Sequence, residues 1–303
     1  MVTTIAALAA LWFTNQSLTA TSEQYGLARQ TAVTDRFAKA VEQLGNSNSV
    51  DIRLGGIELL RKLADDSEQD RVPIMRMFGA FVRSHAPNGP ECGTANKQLD
   101  IDIQSALTVI GSRPAGRSES IDLSNTCLAR ADLHSANLQN VILRNANLSL
   151  AYLDKADLRS ASLVSANLSN ADLGEADLRM SSIARGTMQS ARLWRAKLNG
   201  VNFDSVDLQD VQFGGADLKG ANFNGVDIRA ANLGKGGKLV LSDSPLPDLE
   251  TTGDFQLRDA TFSRARFNEK TNWPEGYAVP ESRPYNPRRY ADYCPGARYL
   301  GDC

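Results

Sequence analysis

Large apolar side chains recur at every fifth position from Leu123 to Leu233, a span of 110 residues crossed in 22 steps of five without a slip. Two positions before each stands a small residue, usually alanine as at Ala131, Ala136, Ala146, Ala151 and Ala156, elsewhere Val, Ser or Gly. Between the two lies Asp or Asn in most frames, as in Ala131-Asp132-Leu133, Ala166-Asn167-Leu168 and Ala216-Asp217-Leu218. A period of five fits neither the helical repeat of about 3.6 nor the strand repeat of about 2, and so predicts a coil with its own geometry. If the large and small positions point inward and the other three outward, each five-residue unit makes one side of a tube and turns a corner. Such a tube buries its lining only by stacking unit on unit. Asp and Asn suit the corners, where a short polar side chain bonds nearby backbone.

The run resembles the pentapeptide-repeat family, whose A-(D/N)-L-x-x pattern is met in frame after frame from Ala131 to Leu178. The resemblance implies an α+β chain built on a right-handed quadrilateral β-helix, with four units or 20 residues per coil, preceded by a small helical module. At that spacing Leu123, Leu143, Leu163, Ile183, Phe203 and Phe223 form one inward column. Each inward side chain contributes roughly 1.5 to 3 kcal/mol of burial before chain entropy is subtracted. The interior is therefore expected to be a packed core, which places any function on the outer walls or at the ends.

Ahead of the repeat, residues 1–33 open with the uncharged run Ile5 to Phe13. Crossing a bilayer takes about 20 apolar residues, more than this run supplies. A signal peptide, a packed helix and the second half of a membrane helix all fit it, although no Lys or Arg precedes it as a signal peptide requires. The continuation from Phe13 to Phe37 resembles the juxtamembrane segment of actinobacterial pentapeptide-repeat proteins with N-terminal membrane helices. That resemblance implies membrane attachment with the repeat domain in the cytoplasm; the alternative is a soluble cytoplasmic protein.

Residues 34–87 read as three helices. Phe37, Val41 and Leu44 share a face that stops at Gly45; Asp51 is expected to cap a helix burying Ile57, Leu60 and Ala64; Asp70 is expected to cap a third, with Pro73 in its first turn and Ile74, Phe78 and Phe81 or Val82 inside. Residues 88–120 hold a linker and a fourth amphipathic helix, Asp102 to Ile110, that would lie over Leu123 and Leu128 and close the open end of the tube. The repeat itself spans 121–233. Residues 234–256 break register as an excursion, 257–277 resume it as a final partial coil closed by Trp273 and Tyr277, and 278–303 carry the Pro-, Arg- and Tyr-rich composition of a disordered tail.

Charge narrows the functional classes. The whole chain carries a net charge of −2, and residues 121–233 contain twelve acidic and eleven basic side chains. A nearly neutral rod is a poor copy of DNA, with one charge per about 1.7 Å, which argues against nucleic-acid mimicry and against nucleic-acid binding. Between Ser181 and Lys197 the repeat departs from its pattern, gathering Arg185, Arg192, Trp194, Arg195 and Lys197 on outward positions. These are the candidate partner-binding patch, because aromatic and guanidinium surfaces stack on flat groups and hold anions. A structural reading stands beside it, with Arg192 over Asp172, Arg195 over Glu175, Lys197 between Asp177 and Asp217, and the Trp194 indole flat between Gly174 and Gly214.

Catalysis has little to build on. His85 and His134 read as surface residues, no nucleophile elbow or phosphate loop is present, and no catalytic, cofactor or metal residue is assigned. Cys92, Cys127, Cys294 and Cys303 match neither a metal signature nor a dense disulfide framework, which points toward a reducing compartment. The expectation is a non-enzymatic interaction scaffold with an unidentified protein partner, tethered at a membrane. The alternative is a DNA-mimic regulator of DNA gyrase or another topoisomerase.

Overall fold

The computed structural model describes residues 33–94, 98–114, 119–229, 231 and 271. The N-terminal apolar run, the excursion and the tail, with Trp273, Tyr277, Cys294 and Cys303, lie outside them. Two compact units divide the chain, residues 1–74 and 75–303.

In the first unit, α1 (residues 33–44) is followed by α2 (Val50–Asp66) and the start of α3 (Glu68–His85). Helix α1 buries Ala40 and Leu44, whereas Val41 turns outward at 36% exposure, so the stripe differs from the expected Phe37-Val41-Leu44 face. The reason is close approach of α2. A Cβ on Gly56 would stand 2.8 Å from the Ala40 carbonyl and 2.6 Å from the Leu44 nitrogen, so only the small side of α1 fits there. Serines take the capping roles expected of the aspartates. Ser49 Oγ accepts from the Ile52 amide at 3.4 Å and Ser67 Oγ from the Asp70 amide at 3.4 Å, which leaves Asp51 and Asp70 inside first turns. There their charge favours the positive helix end. Pro73 consequently sits in the second turn of α3, where its ring removes one intrahelical bond.

In the second unit, the end of α3 buries Met75, Phe78, Phe81 and Val82. Helix α4 (Ile101–Gly111) buries Asp102, Ile103, Ala106, Leu107, Val109 and Ile110.

The repeat is a four-sided β-helix. Parallel bridges join residue i to i+20 in an unbroken series from Asp122–Ile142 to Asp207–Asp227, which puts Leu143 and Leu163 on the same wall. The ladder is made of paired backbone bonds: the Leu123 amide donates to the Ile142 carbonyl at 2.7 Å, and the Ile142 amide to the Ile121 carbonyl at 2.9 Å. At most corners the small residue's amide bonds back to the preceding large residue, as in Ala131 to Leu128 at 3.1 Å. One residue per corner adopts a left-handed conformation, with φ between 54° and 63° at seventeen non-glycine positions; the later coils place Gly200, Gly215, Gly220 and Gly225 there.

Asp and Asn sit on the flat walls at the bridged positions and not in the corners as expected. Their side chains reach toward the corner instead: Asp157 Oδ1 accepts from the Arg159 amide at 3.1 Å and Asn167 Oδ1 from the Ser169 amide at 3.0 Å. Turn chemistry is thus delivered from a neighbouring position. Inside, the large and small positions are buried apart from half-buried Gly186, with Phe203 stacked on Phe223 at 5.0 Å and Phe213 edge-on to both. One inward group is an exception. Ser181 is 2% exposed and its hydroxyl has no hydrogen-bond partner, whereas Thr126 donates its own to the Leu123 carbonyl at 2.6 Å.

Candidate functional site

Four pentads per coil place successive pentads on successive walls and every twentieth residue in one column. Arg192, Trp194 and Arg195 therefore follow one another along one wall to its corner, and Lys197 opens the next wall. Arg185 ends a pentad two corners earlier, diagonally across the tube, so it cannot share a contact surface with the other four.

The indole of Trp194 covers Gly174 in the preceding coil: a Cβ added there would lie 2.2 Å from its Cε2. On the other side, a Cβ on Gly214 would meet nothing within 4 Å. The ring leans one way and leaves the wall over Gly214 open, so the expected two-sided glycine slot forms on one side only.

Of the expected cross-coil pairs, Arg192 with Asp172 forms at 3.7 Å. Arg195 and Lys197 have no ionic partner among the described residues. Asp177, beside Lys197 in its column, is held instead by Arg179 at 2.6 Å, and Asp217 accepts the Lys219 amide at 3.1 Å. The corner thus offers an indole and two cations without an ionic partner among the described residues, on backbone bonded to both neighbouring coils.

The acidic column next to it is largely neutralised. Asp157 is gripped by two guanidinium nitrogens of Arg159, Nε at 2.8 Å and Nη2 at 2.5 Å, and Asp177 likewise by Arg179. Partial burial pushes the Asp157 carboxyl up, but the hydrogen bonds from Arg159 and the charges of Arg159 and Arg179 outweigh it, holding it below the ordinary carboxylate value. The histidines make local contacts: His85 Nδ1 lies 3.0 Å from the Phe81 carbonyl, and His134 Nδ1 lies 2.5 Å from Asp154 Oδ2 across coils.

The N-terminal end of the tube is a second built feature, and its details escaped sequence reasoning. Each wall of the first coil presents an amide and a carbonyl that another coil would bind. The Cys127 amide donates to the Ala86 carbonyl at 2.7 Å, and Pro87 bridges Thr126. Gln104 of α4 imitates a peptide group, its Oε1 accepting from the Asp132 amide at 2.9 Å and its Nε2 donating to the Asp132 carbonyl at 2.7 Å. The Asn137 amide donates to the Gly111 carbonyl at 2.8 Å, and Arg113 Nη2 donates to the Asn137 carbonyl at 3.0 Å. Arg83 covers the Asp122 carbonyl. The capping helix therefore works through polar mimicry of strand edges as well as apolar cover. Arg113 is 4% exposed, and desolvation lowers its pKa.

A disulfide joins Cys92 to Cys127, fastening the segment after α3 to the first coil. The sequence reading, which found no disulfide framework among the four cysteines, did not anticipate this pairing. The available signal was positional, since Cys127 occupies a slot that Asp or Asn fills in most frames. Among the described residues no helix is long and apolar enough to cross a membrane, and no cluster of His, Cys, Asp or Glu could hold a metal ion.

No curated protein matches the chain. Among solved structures it is similar to HetL, a pentapeptide repeat protein involved in heterocyst differentiation regulation from the cyanobacterium Nostoc sp., with 28% identity over 48% of this chain and a TM-score of 0.25. The matched part spans 60% of HetL. It is also similar to QnrB1, a plasmid-mediated fluoroquinolone resistance protein, with 18% identity over 50% of this chain and 83% of that one, TM-score 0.26. A pentapeptide repeat protein of the Arabidopsis thaliana thylakoid lumen matches at 30% identity over 35% of this chain and 63% of its own, TM-score 0.18. The family model for pentapeptide repeats fits eight copies at residues 120–153, 142–179 and 188–225, the same stretch in which bridges recur every 20 residues. On the repeat and its ladder together, the chain belongs to the pentapeptide-repeat family.

Proposed function

We propose that the protein is a non-enzymatic interaction scaffold, tethered to a membrane through residues 1–33, whose β-helix presents a rigid outer wall to a protein partner. The observation that supports this most is the corner at Trp194. A half-buried indole beside an open stretch of wall, flanked by Arg195 and Lys197 without ionic partners among the described residues, has the composition of an interaction anchor, in which Trp and Arg are over-represented. The repeat beneath holds those groups on backbone bonded to both neighbouring coils, so little conformational freedom is lost on binding.

The packed interior supports a surface-based role over turnover. The Cys92–Cys127 disulfide favours an oxidising side of the membrane over the cytoplasmic placement expected from sequence. The DNA-mimic reading has less behind it, because the Asp157 and Asp177 column is neutralised by Arg159 and Arg179.

The test is cross-linked capture of partners from native membranes by the full chain, compared with Trp194→Ala and with Arg195→Gln/Lys197→Gln. A partner retained by the parent and lost by both variants, at unchanged melting temperature, is expected. Equal capture by all three, or inhibition of gyrase supercoiling by the parent chain, would refute this reading.

A further inference from the structure

The wall that carries Trp194 is complementary to itself. Its central column runs Tyr152, Asp172, Arg192, Gln212, each bridged to the next, at about 4.8 Å per rung. On one side of the level midway between Asp172 and Arg192 stand Asp172 and, at the corner, Glu175; on the other stand Arg192 and Arg195. Glu175 and Arg195 have no ionic partner among the described residues. One rung farther out in each direction, the wall carries a knob and a hollow. Tyr152 projects with 57% of its surface exposed, whereas a Cβ on Gly214 would meet nothing within 4 Å. The Trp194 indole lies between them, on Gly174.

One operation relates these features. A two-fold axis lying in the wall, across the tube at that midpoint, returns each column to itself in reverse order. It sets a second wall face to face with the first, the two tubes antiparallel, in an isologous contact. Each Asp172 then meets the other copy's Arg192, and each Glu175 the other copy's Arg195. Each Tyr152 falls over the other copy's open wall at Gly214, and the two indoles meet at the centre. Lys155 has Gly215 opposite it, so no like charges oppose one another along these columns. Centring the axis on Asp172 or on Arg192 instead would set that residue against its own copy, which fixes the register.

We infer that the occupant of this wall is a second copy of the chain, docked antiparallel about that axis. The inference rests on the proposed role of the Trp194 corner as an interaction surface and names its partner. Aromatic side chains at the centre with opposed charges around them follow the usual distribution of energy in an interface. Four rungs of wall make a smaller footprint than a permanent dimer buries, so the contact is a weak, concentration-dependent one.

The experiment is sedimentation equilibrium of the purified full chain in density-matched detergent, at about 50 mM salt to limit screening. A monomer–dimer equilibrium with a dissociation constant of about 0.1 mM is expected. Glu175→Arg and Arg195→Glu should each weaken it at least about ten-fold, since each homodimer then opposes like charges twice. Position 175 and position 195 share one left-handed corner geometry, with φ of 57° and 54°, so each corner already accepts the other's residue type. Mixed in equal amounts, the two variants should associate as tightly as the parent, because every pair between them is again of opposite sign. Tyr152→Ala should also weaken association about ten-fold. Association through residues 1–33 would ignore all of these changes. A parent chain that stays monomeric at about 1 mM, indifference to the charge reversals, or a mixture no tighter than its components would overturn the assignment. If capture of a different protein were still lost in Trp194→Ala, the scaffold reading would stand without the second copy; if that were absent as well, both would fall.

Discussion

The indole of Trp194 lies on Gly174, one coil earlier, so closely that even a methyl group there would occupy the ring's place. Gly174→Ala should lift the ring off the wall and shift its fluorescence to longer wavelength. Thermal stability should change little, because what moves is the far end of a side chain. Gly214→Ala, which meets nothing within 4 Å, should leave the emission where it was. The measurement is made with Trp12 and Trp273 replaced by Phe, so that Trp194 alone reports.

Ser181 places a buried hydroxyl without a partner where the repeat normally has alanine. Ser181→Ala should raise stability by about 1 kcal/mol, since an unsatisfied buried hydroxyl carries its full desolvation cost. Thr126→Val should do the reverse by a similar amount, because Thr126 bonds the Leu123 carbonyl. Denaturant midpoints at constant m-value check both.

Acid should erase the contribution of the Asp157–Arg159 pair. Its carboxyl is held below the ordinary value, so the unfolded chain takes up the proton first. The stabilisation is complete above about pH 4 and is lost as pH falls through the lower folded-state value. Asp157→Asn keeps the acceptor for the Arg159 amide and removes only the charge. The melting-temperature difference between parent and variant should be largest at neutral pH and should shrink as pH falls through the lowered folded-state value. A gap that widens on acidification would contradict the sign.

Gln104 supplies both bonds that an additional coil would make to Asp132. Gln104→Leu should cost about 1 to 3 kcal/mol by stranding a backbone donor and acceptor. The loss should concentrate at that edge, appearing as faster hydrogen exchange of the Asp132 amide while the Leu173 amide, deep in the ladder, stays protected.

The tube was legible in the sequence because burial and spacing coincide there: one large and one small residue in every pentad must face inward, and twenty residues must close a coil. What lay between those positions was harder to read. Asp and Asn looked like corner residues because turns favour them, yet they occupy the walls and serve the corners at a distance of two residues. The capping aspartates of α2 and α3 were displaced by the serines just before them, a shift of a few residues that propensity alone does not resolve. Arg185 joined Arg195 in a linear reading, and only the fourfold turn of the coil separates them. The edge bonds of Gln104 and Arg113 and the pairing of Cys92 with Cys127 depend on how the segment before the repeat folds back, which no periodic signal encodes.

Because five residues turn one corner and twenty close one coil, the chain translates insertion length directly into orientation. Twenty added residues between Asn170 and Ala191 would lengthen the protein and leave the Trp194 corner above the same wall as Gln104 and Asp132. Five would swing everything downstream by a quarter turn and aim that corner in a new direction, with every inward position still filled. Evolution could thus redirect the molecule's outward-facing chemistry by slipping single pentads, at no change in the core.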